Sequence, residues 1–356
     1  MGNNTATVKN GTGIRQKFII VLVLLLVVAA AGGLVAYTYF NGLLDPVGEP
    51  DKIVEKTVVI PKGANSGQIG RILANHGLIR NETAFRIYTR YRGMDNSLKA
   101  GEYRLDTSLS VPGIIDRLAR GETATFTFTI PEGFSLKQIV DKLSAQKIID
   151  RDRFVELVSS GEFDYDFLRG LPERPDRLEG YLFPDTYRIT GETTENQIID
   201  MMLARFAREI TPEFKSGAAE LGLSLHQAVT LASLIEREAQ KDEERPKVAA
   251  VFLNRLKKGW KLESCATIQY ILGEPKARLL NKDLEIESPY NTYLNKGLPP
   301  GPIASPGGPS LRAAVSPADV DYMFFVVSED GKHIFSRTLS EHNRNKAVYL
   351  NSLKTQ

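Results

Sequence analysis

Residues 18–36 read FIIVLVLLLVVAAAGGLVA, and no charged side chain follows before Asp45. About 20 consecutive apolar residues cross a hydrocarbon core as a helix, because in lipid every backbone N–H and C=O must be satisfied within the segment. A transmembrane helix is therefore expected over 18–40, with Tyr37, Tyr39 and Phe40 as an aromatic collar at one interface. Lys9, Arg15 and Lys17 precede the span without an acid, so the tail 1–17 should stay in the cytoplasm and the bulk of the chain should lie outside. A cleaved signal peptide is the competing reading, with a candidate site at 29–31. The apolar run continues well past that site, which favours an anchor. Myristoylation is excluded because Ala6 stands where Ser or Thr is required.

The formal net charge of +2 belongs to that tail. Of 45 Lys+Arg and 43 Asp+Glu, all but three bases lie beyond residue 44, leaving 42 basic against 43 acidic groups. The exported part has no basic excess, so nucleic acid is not an expected partner. One Cys and four His, at 76, 226, 333 and 342, leave no disulfide framework and no cluster with metal-ligand spacing. Neither a metal nor a cofactor is expected. The 356 residues suggest about two domains.

Pro46, Gly48 and Pro50 mark a linker over 41–56. Beyond it IPKGANSGQIGRILANHGLI (60–79) and IPEGFSLKQIVDKLSAQKII (130–149) are variants of one pattern. Each predicts a strand ending at Ile-Pro, a Gly turn and an amphipathic helix. The pattern is either two similar units or a common strand–turn–helix motif used twice. Helical periodicity recurs over 194–209, 224–239 and 244–258. KGLPPGPIASPGGP (296–309) must be irregular, and the chain end alternates strand-like and helical segments. The expected fold class is α+β, without a βαβ rhythm.

No Walker loop, dinucleotide fingerprint or G-x-S-x-G elbow occurs. The segment LASLIEREAQ instead closes an apolar helix with Glu236 and Glu238. At about 100° per residue the two carboxylates flank the stripe of Leu225, Ala228, Leu231, Ala232 and Ile235 on opposite sides. A half-desolvated carboxyl suits general-acid work, but the wheel does not choose between them.

ASLIERE, VAAVFLNRLKKGWKLESCATIQY, SPYNTYLNKGLPPGPIASPG and FSRTLSEHN, with KAGEYRL and LEGYLFPDTY upstream, resemble the bacterial endolytic murein transglycosylase family (MltG/YceG-like) over nearly the whole chain. The resemblance implies a membrane helix, a LysM-like subdomain over 57–126 and a catalytic domain over 127–356. It also implies an inner-membrane protein with its catalytic domain on the periplasmic face. The implied reaction cuts the MurNAc–GlcNAc β-1,4 bond of nascent peptidoglycan without water and leaves 1,6-anhydroMurNAc ends. Such cleavage would end glycan elongation, in partnership with peptidoglycan synthases. One carboxyl suffices where an internal hydroxyl replaces water. By the family motif that carboxyl is Glu238, with Glu236 as second choice.

Implied substrate-binding positions are Glu179, Tyr181, Asp185, Asn254, Arg255, Thr267, Tyr290, Asn291, Thr292, Tyr293 and Asn343. The YNTY run offers rings and an amide suited to sugars. His342 and Asn343 could instead hold the C-terminal strand. Many relatives have Asp-Pro where this chain has Cys265–Ala266, and a buried, unreactive Cys is expected there. Two alternatives remain: a glycan-binding scaffold without catalysis, and a hydrolytic glycosidase using Glu179 or Asp185 as second carboxylate.

Overall fold

The computed structural model describes residues 12–49, 51–274, 276, 278–328 and 331–355. It is a mixed α+β protein in two compact units, one comprising residues up to 126 with 190–192, the other 127–189 with the remainder.

The first unit opens with α1 (Thr12–Leu44), whose Lys17–Leu44 stretch is long and apolar enough to cross a membrane. Side chains from Phe18 to Tyr39 are exposed. Phe40, Leu43 and Leu44 instead pack on the core of the unit. The segment expected as a linker from residue 41 is thus helical to Leu44. Beyond that point it is tied down: Arg80 donates to Pro46 O at 2.6 Å, and Gly48 N–H to Thr107 O at 2.7 Å.

Then follow β1 (Glu55–Ile60), α2 (Ser66–Asn75), α3 (Glu82–Tyr91), β2 (Gly101–Asp106) and α4 (Val111–Arg120). Strands β1 and β2 pair antiparallel, Glu55 opposite Asp106 and Ile60 opposite Gly101. Alternation sends Val58 and Ile60 inward and Val59 outward. Ile69, Leu73, Phe85, Tyr103, Leu105 and Ile114 fill the core, and the buried Tyr103 hydroxyl donates to Lys99 O.

A second strand–helix–helix–strand run is formed by β3 (Thr125–Thr129), α5 (Leu136–Ala145), α6 (Arg151–Ser160) and β4 (Thr186–Thr190), with β3 bonded to β4. The repeat read in the sequence therefore extends to four elements. Both copies turn at a Gly with positive φ, Gly63 and Gly133, and both first helices start with a capping box, Asn65 with Gln68 and Ser135 with Gln138.

The rest is mainly helical: α7 (Glu195–Ala207), α8 (Pro212–Glu220), α9 (Leu225–Glu238), α10 (Arg245–Lys257), α11 (Cys265–Leu272), α12 (Asn281–Leu284) and α13 (Gly308–Val315). The hairpin β5 (Phe324–Val327) and β6 (His333–Ser336) and then α14 (Leu339–Thr355) close the chain. Helix α9 is the centre of this unit. Ser224 and Gln227 cap its start reciprocally, residues Ala228 to Ile235 are buried, and α8, α10, α11 and α13 pack around it.

Residues 297–307 are irregular, as their Gly and Pro content demands, yet 301–307 are buried. Their backbone polar groups find partners there. Ile303 N–H donates to Ser233 Oγ at 3.0 Å, Gly307 N–H to Glu236 Oε2 at 2.9 Å, and Ser305 exchanges bonds with Gly133 and Phe134.

Candidate active site

The two carboxylates at the end of α9 have different surroundings. Glu236 has a side chain only 6% exposed, with Oε1 3.2 Å from Arg245 Nη1 and Oε2 accepting from Gly307 N–H. Each oxygen is committed to a donor, so none is left to carry a proton outward. Glu238, the last residue of α9, is partly exposed. Its Oε1 accepts from Ser264 Oγ at 2.5 Å and, more weakly, from Ala266 N–H at 3.4 Å. Its Oε2 makes no hydrogen bond to any other described residue.

Ser264 occupies the N-cap position of α11, where its hydroxyl would ordinarily bond the helix's own N–H groups. No such bond forms, because the hydroxyl is turned to Glu238. Its backbone is fixed on both sides. Thr292 Oγ1 accepts from Ser264 N–H at 3.0 Å, Thr267 Oγ1 donates to Ser264 O at 2.8 Å, and the two threonine hydroxyls meet at 3.0 Å. Thr267 and Thr292 are thus buried supports of Ser264. Asn291, also buried, holds Leu284 O and Ile286 O and accepts from Tyr293 N–H. Of the YNTY run, Tyr290 and Tyr293 retain partly exposed side chains. Burial, followed by the charge of Asp176, pushes the Tyr290 phenol up to about 12.

Cys265 is not the buried thiol expected. It is exposed in the first turn of α11, its Sγ 3.0 Å from the Tyr293 hydroxyl. The protein packed about the sulfur still raises its pKa, so the thiolate is disfavoured.

Glu179 lies at 3% exposure with both oxygens on Leu136 N–H, at 2.9 and 3.1 Å. Burial outweighs that bond and the Tyr270 hydroxyl, raising its pKa to about 8, so it is mostly protonated at neutral pH. Asp185 is bound by Arg205 at 2.7 Å and by Thr186 N–H. Tyr181, buried, bonds His226 Nδ1 at 2.7 Å. His226 Nε2 faces Pro300 O at 2.8 Å, and since a carbonyl only accepts, the imidazole proton sits on Nε2 and the phenol donates to Nδ1.

Asn254 and Arg255 lie away from the two carboxylates' hydrogen bonds. Asn254 donates to Val320 O and Tyr322 O, while Arg255 donates to Met323 O and Leu262 O, bracing the C-terminal hairpin. Asn343 is exposed on α14, beside His342, whose ring stacks on Phe324 at 5.2 Å. Ser264, Arg245 and Gly307 were missed in the sequence. A Ser immediately before α11 is a helix-start signal, but nothing local shows its hydroxyl leaving that helix for another.

Replacing Ser264 by Ala removes the donor that fixes Glu238. Hydrogen bonds to charged groups are worth about 1.5–3 kcal/mol, so turnover should fall roughly 10- to 100-fold. Melting temperature should shift little and the pH–rate profile should move, whereas a merely structural role would lower melting and leave the profile in place.

Residues 58–348 match the family model described as the YceG-like family. A Bacillus subtilis protein named endolytic murein transglycosylase is 36% identical over 335 residues, covering 89% of this chain and 91% of that protein. A Streptococcus pneumoniae protein of the same name is 33% identical, covering 94% of this chain and 65% of the longer relative. A crystal structure described as a yceG-like protein of Listeria monocytogenes superposes with a TM-score of 0.55 at 35% identity, over 82% of this chain and 98% of the other.

Proposed function

The chain belongs to the YceG-like family, and on that premise we propose that it is a membrane-anchored endolytic peptidoglycan lytic transglycosylase with Glu238 as its acid. The observation that carries the assignment is the contrast at the end of α9. Glu236 has both oxygens bound, whereas Glu238 keeps Oε2 unbonded among the described residues and is held by Ser264 through Oε1.

In the proposed reaction the Glu238 carboxyl gives its proton to the glycosidic oxygen as the MurNAc C1–O bond breaks. The MurNAc 6-hydroxyl then closes on C1 and returns its proton to the carboxylate, giving a 1,6-anhydro end and a free GlcNAc 4-hydroxyl. Atoms balance without water. The hydrolytic alternative needs a second carboxylate to activate water. Glu179 and Asp185 are both engaged by protein donors, which favours the lytic route.

The first unit, with its strand–helix–helix–strand order, would be the LysM-like holder of glycan, and 127–356 the catalytic part. With α1 in the inner membrane and its N-terminus in the cytoplasm, packing of Phe40 and Leu43 on the first unit would keep that unit near the periplasmic surface. Nascent strands are then the natural substrate, their cutting would end elongation, and synthases are the natural neighbours. The test is incubation of the detergent-solubilised full chain with uncrosslinked glycan strands, followed by mass analysis. Products one water lighter than hydrolytic ones are expected. Hydrolytic masses would favour the glycosidase, and binding without cleavage would favour the scaffold.

A further inference from the structure

Around the end of α10 the second unit exposes a cationic surface that the proposed chemistry does not use. No acidic residue occurs between Glu244 and Glu263 or between Glu287 and Asp319. Within those stretches the ammonium groups of Lys257, Lys258, Lys261 and Lys296 have no ion pair or hydrogen bond among the described residues. The acids that reach this surface are Glu263 and Asp321, and each has an arginine of its own, Arg255 at 3.3 Å and Arg337 at 2.5 Å. Those arginines cancel the acids, so the four lysine charges stand uncompensated.

Two of the lysines have a structural reason. Lys257 and Lys258 close α10, where the helix dipole favours cations. Lys261 and Lys296 have the opposite: they stand directly across an isolated antiparallel bridge, where like charges repel. A placement that costs stability in the free protein becomes favourable against an anion lying over it. Beside these lysines Trp260 is 44% exposed and Leu294 42%, with Lys258 Nζ 5.8 Å from the centre of an indole ring. Tryptophan beside lysine suits the boundary of a bilayer, with the ring at headgroup level and the ammonium on phosphate. A discrete carboxylate or phosphate is better met by the planar fork of arginine, and the uncompensated cations here are all lysines.

We propose that Lys257, Lys258, Lys261 and Lys296, with Trp260 and Leu294, form a contact surface for an anionic phospholipid bilayer, separate from α1. Glu263 N–H donates to Thr292 O, so the segments that bear the patch continue into Ser264 and the threonine that fixes it. Lys261 lies three residues before Ser264, at most about 11 Å along the chain. Docking therefore holds the Glu238 end of α9 close to the headgroups. The contact takes from the reading of α1 as an anchor only that a bilayer is at hand, and it needs no glycan cleavage.

Trp260 is the chain's single tryptophan, so its fluorescence reports the contact directly. The full chain is reconstituted into vesicles of phosphatidylcholine alone or mixed equally with phosphatidylglycerol, each with a headgroup spin-labelled lipid as quencher. Anionic vesicles should shift the emission to the blue and quench it, and neutral vesicles should not. Salt at about 1 M, where the Debye length is about 3 Å, should reverse the effect. Each Lys→Gln change should lower the docked-to-free ratio roughly fivefold. Lys261→Gln with Lys296→Gln should therefore lower it roughly 25-fold, without lowering melting. Should that double variant fold poorly, the salt titration of the unaltered chain decides. Equal quenching in both vesicles, insensitivity to salt, or a full response in the folded double variant overturns the proposal. So does a larger response to stem-bearing glycan strands in detergent, which would assign the lysines to carboxylates. Failure to float with neutral vesicles would sink the anchor alone, and salt-sensitive flotation with anionic vesicles would still uphold the patch.

Discussion

Glu238→Gln is expected to lower strand cleavage by about 10²–10⁴-fold, the range for removing a general acid, with KM nearly unchanged. The amide has no proton of comparable acidity to give the leaving oxygen. Its carbonyl still accepts from Ser264 Oγ and Ala266 N–H, so the end of α9 and the start of α11 stay joined. The folded state should be preserved within about 1 kcal/mol, because one hydrogen-bond acceptor replaces another. Glu236→Gln should behave in the opposite way. It removes one of the charges that Arg245 faces, lowers melting, and leaves the chemistry of the folded fraction largely intact. Steady-state rates and thermal melts on both variants separate the roles. More than a tenth of the parental rate in Glu238→Gln would sink the assignment. An inactive but fully stable Glu236→Gln would transfer it.

Why that distinction was not legible beforehand is plain in the geometry. Positions 236 and 238 are near-mirror flanks of one apolar stripe, and helical periodicity treats them alike. What separates them is non-local: Arg245 on the next helix, and Gly307 some seventy residues on, take one carboxylate, while Ser264 holds the other. Local signals fared better. The apolar period read α9 to within a residue of its ends, and the uncharged run read α1. The repeat was legible only in its first half, because α3 and α6 follow different sequences while keeping the same N-cap chemistry, Asn81 and Asp150. The Gly/Pro loop was legible as irregular but not as interior. Its burial depends on Ser233 and Glu236 supplying acceptors to its backbone, and no pattern within the loop records that. Cys265 was misjudged because a general preference of thiols for the interior was applied to a residue in the exposed first turn of a short helix.

Arg245→Met should strongly destabilise the second unit while leaving its apolar packing intact. The guanidinium is 7% exposed and serves four groups: Glu236 Oε1 at 3.2 Å, Asp242 at 3.0 Å, Ser310 Oγ at 2.5 Å and, at 4.0 Å, Glu132. Glu132 is already pushed up in pKa, first by burial and then by the charge of Glu236, with Arg245 opposing both. Methionine fills most of the volume but leaves two carboxylates facing each other beside a buried loop. Breaking a buried pair from one side costs about 3–5 kcal/mol, and a unit of this size loses about 2–4 °C per kcal/mol, so melting should fall by roughly 6–20 °C. The sign of the pH dependence follows from the same charges. Carboxyls whose folded pKa lies above the unfolded value cost stability as pH rises through that interval, so the variant should lose less at pH 4 than at pH 7. Adding Glu236→Gln to Arg245→Met should recover part of the loss, with a coupling of about 1 kcal/mol or more between the two changes. Strict additivity, or a melting loss independent of pH, would show that Arg245 acts here through packing and not through its charge.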